Sequence, residues 1–232
     1  IRHVICEQVK KSGGHLAPNL GVVELSIALH YVFDFDQDRL LFDVGHQCYP
    51  HKLLTGRADM LGRLRQRGGM AGFPDPRESS FDLFSVGHAG TAVSTAVGMA
   101  RGDTLKGEAF SKDNPDGRRV VAIVGDASIV NGVAMEGLNN AGTLNRQFLV
   151  VLNDNGMSIA KPQKDNKTGK PYLTWAGLMF FQKQNKHIFR GYYIFCMLLV
   201  NILPTNCYTI FFYSLVKLYG TTNVPFVKVF MS

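Results

Sequence analysis

Two continuous apolar runs of strand length, 120–124 (Val-Val-Ala-Ile-Val) and 148–152 (Phe-Leu-Val-Val-Leu), are rich in β-branched residues and lack polar alternation. Such runs belong to strands buried on both faces of a parallel sheet. Between them Val133, Met135, Leu138, Ala141 and Leu144 recur near helical spacing, which predicts a crossover helix over 133–144. The three elements make a β-α-β unit with both strands pointing the same way. A second helix is predicted over 20–33, where Leu20, Val23, Ile27 and Tyr31 share one side and Leu25, Ala28, Leu29 and Val32 widen the apolar face. Residues 40–44 read as a short buried strand. Arg63, Arg65 and Arg67 within 59–69 predict a solvated helix face ended by Gly68-Gly69. The charged stretch 106–119, carrying Asn114-Pro115-Asp116-Gly117, predicts a mobile surface connection. The fold class that follows is α/β, a parallel sheet flanked by helices.

In a β-α-β unit the strands' carboxyl ends lie together, so Asp126 and Asn155, each just past a strand and 29 positions apart, are expected to approach one another. One carboxylate, one amide oxygen and a nearby backbone carbonyl form a hard oxygen-ligand set. Mg2+ takes about six oxygens at roughly 2.1 Å and usually draws several from phosphates and water. Gly125-Asp126-Ala127-Ser128 also suits an ordinary strand-to-helix turn, and Asn155-Gly156 is a common turn dipeptide. The two pieces at this spacing, each ending a buried strand, favour a metal that clamps a diphosphate.

These pieces resemble the thiamine diphosphate motif, Gly-Asp-Gly followed by Asn nearly thirty residues on. Further segments narrow the resemblance: Ser12-Gly13-Gly14-His15-Leu16, Asp43-Val44-Gly45-His46-Gln47-Cys48-Tyr49-Pro50-His51-Lys52, Ser85-Val86-Gly87-His88 and Asn153-Asp154-Asn155-Gly156-Met157. In this order and spacing they are similar to the 1-deoxy-D-xylulose-5-phosphate synthase family from residue 1 to about Gln163. The resemblance implies a thiamine diphosphate-dependent, transketolase-type transferase with an incomplete diphosphate-domain fold. The implied reaction condenses pyruvate with glyceraldehyde 3-phosphate, with loss of carbon dioxide, toward isoprenoid, thiamine and pyridoxal precursors. It implies Mg2+ held by Asp126, Asn155 and the Met157 carbonyl, with Asn153 a neighbour rather than a ligand. His15 and His46 become the proton-handling, catalytic residues. Cofactor contacts are implied at His15, Gly87, His88 and Ala89, the amides of 89–94 approaching the cofactor as a helix begins. Further contacts are implied at Gly125, Asp126, Ala127, Ser128 and Asn155. Ala127 replaces the family glycine, which matters only if that position needs a positive φ. A zinc pair of His46 and His51 lacks a completing Cys or Glu. Tyr49-Pro50-His51-Lys52 argues against another transketolase-type enzyme, the alternative reading.

Charge and composition divide the chain. Residues 1–163 hold 17 basic and 17 acidic side chains, so the net +7 lies entirely in 164–232, which also carry 15 of the 25 aromatics and only 4 of the 24 glycines. The basic residues there form no stripe or RNA-binding motif, so nucleic acid is not expected as a partner. The expected domains are 1–163, a partial diphosphate domain, and 164–232, an irregular or helical tail foreign to the family, derived from intron read-through, a frameshift or an assembly error. Apolar patches at 188–203 and 209–218 fall short of the roughly 20 residues of a membrane span, leaving a noncatalytic, membrane-associated product as a further alternative. Ile1 in place of an initiator Met suggests a fragment. No Glu is assignable to the cofactor-activating role of the family's second domain, so the chain is expected to be inactive alone, whereas the full-length family forms homodimers. Cys6, Cys48, Cys196 and Cys207 show no Cys-x-x-Cys pairing, which suits a reducing compartment, cytoplasmic or plastid.

Overall fold

The computed structural model describes residues 1–144 and 148–154, together with the backbone of the strand Phe226–Phe230. In chain order the elements are α1 (Arg2–Ser12), α2 (Leu16–Leu20), α3 (Val23–Val32), β1 (Arg39–Phe42), α4 (Tyr49–Leu54), a 3-10 turn (Ala58–Arg63), α5 (Ala92–Lys106), β2 (Val120–Gly125), α6 (Gly132–Ala141), β3 (Phe148–Asp154) and β4 (Phe226–Phe230).

All four strands are parallel, in the order β1-β2-β3-β4. The apolar runs lack alternation because both faces are covered. On one face Leu40, Phe42, Val121, Ile123, Leu149 and Val151 meet the layer built from α1, α3 and α4. On the other, Leu41, Val120, Ala122, Val124, Phe148, Val150 and Leu152 meet α5 and α6. Each buried Val, Leu or Ile contributes about 1.5–3 kcal/mol relative to an exposed one, so β2 and β3 form a stable platform for the turns at their ends. Helices α5 and α6 approach closely at Gly137, where a Cβ would lie 2.7 Å from Ser94 Oγ, and Ser94 Oγ donates to the Val133 carbonyl at 2.7 Å.

Three expected elements take a different form. The helix expected over 20–33 starts later, at Val23, because Leu20 ends the short α2 and the chain turns at Gly21-Val22 before α3. Residues 59–69 make only a 3-10 turn to Arg63, since Leu64 and Met70 are drawn into the core and Arg65 adopts φ 61°. The connection 106–119 is tied down rather than loose: Ala109 and Arg118 bridge, Arg119 lies 4.0 Å over the Phe110 ring, and Asp38 accepts the Arg119 amide at 2.7 Å. The composition after 163 predicts helical or irregular structure, yet β4 joins the sheet there beside β3. The apolar patches 188–203 and 209–218 lie outside the described residues. Among the described residues no helix is long and apolar enough to cross a membrane.

Candidate functional site

The carboxyl ends of β1, β2 and β3 lie along one edge of the sheet, where the chain leaves β1 and β2 in two loops, the place where open parallel sheets bind ligands. The loop after β2 begins at Gly125, in register with Asn153 on β3. One residue on, the Asp126 amide donates to the Asn153 carbonyl at 3.2 Å, so the Asp126 turn and the end of β3 are adjacent. The turn closes through the Ser128 and Ile129 amides, both donating to the Gly125 carbonyl at 3.0 Å. Ala127 is not among the residues with positive φ, so it costs the turn nothing that glycine would spare. Asp126 is half-buried, and no Cβ contact crowds Gly125. The Asn153 side-chain oxygen is buried without a hydrogen-bonding partner among the described residues. Asn155 and Met157 lie outside the described residues.

The loop after β1 is held under strain. Val44, β-branched, has φ 59° and Gly45 φ 86°, a region that costs a non-glycine residue on the order of 1–3 kcal/mol. Gly45 has no substitute: a Cβ would lie 2.4 Å from Pro74 Cδ. The Asp43 carboxylate, fully buried, accepts the Gly90 amide at 2.9 Å and the Ala92 amide at 3.1 Å. It therefore occupies the positive end of α5. Of the amides of 89–94, those of Gly90 and Ala92 thus already have an acceptor within the chain. Gly87, His88 and Ala89 precede that cap. His88 is exposed, its Nδ1 3.0 Å from the Ala89 carbonyl, and it borders a cavity of about 320 Å³ with Phe84, Thr91 and Thr95. Gly90 joins this segment to the β2 loop, its Cβ position being 2.5 Å from Asn131 Cβ.

His15 and His46, 31 positions apart in sequence, come together. Their ring centroids are 5.8 Å apart, with Phe73 edge-on to His15 at 5.3 Å. The side chain that joins them is Asn19, wholly buried. Its Nδ2 donates to the His15 carbonyl at 2.6 Å and to the His46 carbonyl at 2.8 Å, and its Oδ1 accepts the Tyr49 amide at 2.8 Å. Burial, with the Arg65 charge second, lowers the His15 pKa. Burial likewise lowers that of His46, helped by His15 and opposed by Asp43, and His46 Nδ1 is buried without a partner among the described residues. Both imidazoles are therefore biased toward the neutral form. Arg65 stands beside this pair, its Cγ 3.3 Å from a Gly72 Cβ position and a guanidinium nitrogen 3.8 Å from that of Gly13. Asn19 and Arg65 were not legible as site residues; a buried Asn four residues past a glycine-flanked His was the available hint.

His51 and Lys52 serve a different task. His51 lies 3.0 Å from His30 and 3.2 Å from Asp82, and Lys52 pairs with Glu78 at 2.7 Å. Arg57 grips Asp82 at 2.6 and 2.9 Å. Burial alone would raise the Asp82 carboxyl, but hydrogen bonds from His51 and Arg57 hold it well below the usual carboxylate range. The cluster anchors the 71–82 segment that carries Phe73 and Pro74 against the site. Among the described residues no group of three or more His, Cys, Asp or Glu is arranged to hold a metal by itself.

The family model described as 1-deoxy-D-xylulose-5-phosphate synthase matches residues 1–164. Proteins of that name from Alkalilimnicola ehrlichii and from an Acidovorax species are 52% identical over 161 residues and 51% identical over 162. The alignments cover 69% and 70% of this chain but 24% of each relative, so the chain spans about a quarter of the length of the curated relatives it matches. Among solved structures, a transketolase from Campylobacter jejuni superposes with TM-score 0.62 at 16% identity, covering 99% of this chain and 36% of its own. A transketolase from Pichia stipitis gives TM-score 0.58 at 23% identity, covering 68% and 26%. These structural likenesses establish the fold.

Proposed function

Because the chain belongs to the 1-deoxy-D-xylulose-5-phosphate synthase family, we propose that residues 1–163 form the metal- and diphosphate-holding part of a thiamine diphosphate site. The reaction it serves is the condensation of pyruvate with glyceraldehyde 3-phosphate, with loss of carbon dioxide. The observation that carries this reading is the register of β2 on β3, which sets the Asp126 turn against Asn153 at adjacent strand ends.

The residues present fit the cofactor. Asp126 offers a half-buried carboxylate, Gly125 leaves room, Ala127 is unstrained, and the unpaired Asn153 oxygen is an acceptor that a metal-bound water would satisfy. Asp126, the Asn155 side chain and the Met157 carbonyl would hold Mg2+, whose remaining oxygens come from diphosphate and water. Bound thiamine diphosphate supplies the electron sink for the carbon chemistry. The chain's own residues supply orientation and proton handling. His15 and His46, biased toward the neutral form by burial, can accept and return a proton near neutral pH. The Arg65 guanidinium, exposed beside His15, supplies positive charge suited to the phosphate of the aldehyde substrate. Asp43 and the strained Val44-Gly45 turn hold the His46 loop rigid against α5.

As a separate 232-residue polypeptide, the chain is expected to bind cofactor but turn over little. Four of its five glutamates are engaged in ion pairs, Glu7 with Lys10, Glu24 with Arg2, Glu78 with Lys52 and Glu108 with Arg118, and Glu136 lies on α6. None is poised to activate an aminopyrimidine. Calorimetric titration with thiamine diphosphate should show binding with Mg2+ and none with EDTA; equal binding in both would overturn the metal assignment. Formation of 1-deoxyxylulose 5-phosphate by the purified chain at rates typical of enzymes, about 1 per second or faster, would overturn the expectation of inactivity.

A further inference from the structure

Tyr49 is buried between the two histidine segments, and its hydroxyl does two things at once. It receives the His15 backbone amide at 3.3 Å and lies 3.4 Å from His15 Nδ1. An amide N–H can only donate, so the hydroxyl oxygen is the acceptor in the first contact. The hydroxyl hydrogen is then free, and Nδ1 is the acceptor within reach. If Nδ1 carried a proton instead, the oxygen would face two donors and the buried hydroxyl hydrogen would lose this partner, an arrangement that costs free energy in a dry site. Resting on the reading of His15 as a proton-handling residue, we propose that Tyr49 is a positioning residue that fixes the His15 imidazole in the tautomer with Nδ1 bare and the proton on Nε2.

Three features built into the chain hold this arrangement. Gly14 makes room for it: a Cβ at that position would sit 2.9 Å from the Tyr49 hydroxyl, and the backbone there has φ +142°. Asn19 pins both partners with one side chain, accepting the Tyr49 amide and donating to the His15 carbonyl. Burial raises the Tyr49 pKa, which favours the protonated hydroxyl, while burial and Arg65 bias His15 toward the neutral imidazole, in which the choice of tautomer arises. The Gly-Gly-His and Tyr-Pro-His-Lys segments are thereby one device: the second glycine of the first admits the tyrosine of the second, and the tyrosine decides which nitrogen of the histidine can deliver a proton.

The test is nitrogen NMR of the 232-residue chain labelled with 15N-histidine, recorded above pH 8 without cofactor or substrate, with His15 assigned from a His15→Gln sample. In the unsubstituted chain, His15 should show a bare Nδ1 and a protonated Nε2 as a single tautomer. In Tyr49→Phe the two ring resonances should shift toward each other as the second tautomer becomes populated, while the exposed His88 resonances stay in place. A proton on Nδ1 in the unsubstituted chain, a result that needs no variant to fold, would overturn the proposal. So would an unchanged His15 spectrum in a folded Tyr49→Phe chain. Neither outcome involves cofactor binding, so failure here is separate from failure of the thiamine diphosphate reading.

Discussion

Replacing Asn19 with alanine tests the joint between the two histidine segments. The side chain makes three hydrogen bonds, at 2.6, 2.8 and 2.8 Å, and is wholly inaccessible to solvent. A net contribution of about 1 kcal/mol per bond gives a loss of about 3 kcal/mol, and more where water cannot reach the orphaned His15 and His46 carbonyls. With a urea slope of about 2 kcal/mol per molar, the unfolding midpoint should fall by about 1.5 M. Asn19→Asp is a sharper probe. It keeps the acceptor for the Tyr49 amide but turns a carboxylate toward two carbonyl oxygens, so it should cost at least as much as alanine although it is nearly isosteric. Equilibrium urea unfolding followed by far-ultraviolet circular dichroism measures both. A midpoint shift below about 0.3 M, the size of an ordinary surface substitution, would refute the claim that Asn19 ties the site together, as would an Asp variant as stable as the native chain.

The remaining predictions concern charge and backbone. His30, lowered to about 4 by burial and then by His51, stays neutral in the folded chain while the unfolded chain protonates near its ordinary value of 6.5; stability should fall as pH drops from about 6.5 toward 4, with a shallower fall in His30→Gln measured by pH-dependent thermal melts. Asp82, held below its ordinary range, stabilises above that range and loses its effect as pH falls through its folded pKa; Asp82→Asn, which leaves Lys52 and Arg57 buried with a weakened partner, should destabilise by about 3–5 kcal/mol in urea unfolding at neutral pH. Arg65→Met removes a charge that lowers the His15 pKa, so an NMR titration should find that pKa raised, and an unmoved value would contradict the placement of Arg65. Ala127→Gly should lower the urea midpoint slightly, by the equivalent of about 0.4–1 kcal/mol through unfolded-state entropy, whereas Gly45→Ala should be severely destabilising; a stabilising Ala127→Gly would contradict the turn geometry.

The parts of this molecule with a strong period were legible in its sequence. β2, β3 and α6 follow from unbroken apolar runs around a helical repeat, and the β-α-β unit alone puts Asp126 beside the end of β3. The helix pattern over 20–33 concealed a break, because Gly21-Val22 changes the chain's direction without disturbing the apolar spacing. Contacts between distant segments were not legible. Asp43 capping α5 joins positions 47 and 49 residues apart, and nothing local marks a buried aspartate as a cap for a helix that far along the chain. Arg65 carried the composition of a solvated face, yet its left-handed backbone and Gly13 and Gly72 bring it beside His15. The motif Tyr49-Pro50-His51-Lys52 carried the family resemblance without indicating which of its residues reach the site. In the folded chain only its tyrosine touches His15, and His51 and Lys52 turn into the Asp82 cluster.

The central claim is that the ends of β2 and β3 hold a divalent metal on a diphosphate. The most direct measurement replaces Mg2+ with paramagnetic Mn2+ and records amide signals of the 15N-labelled chain with thiamine diphosphate present. The account predicts that broadening is strongest for the amides of 125–128 and 153–157 and is lost in Asp126→Ala. Broadening that is absent from 125–128, or that persists unchanged in Asp126→Ala, would contradict it.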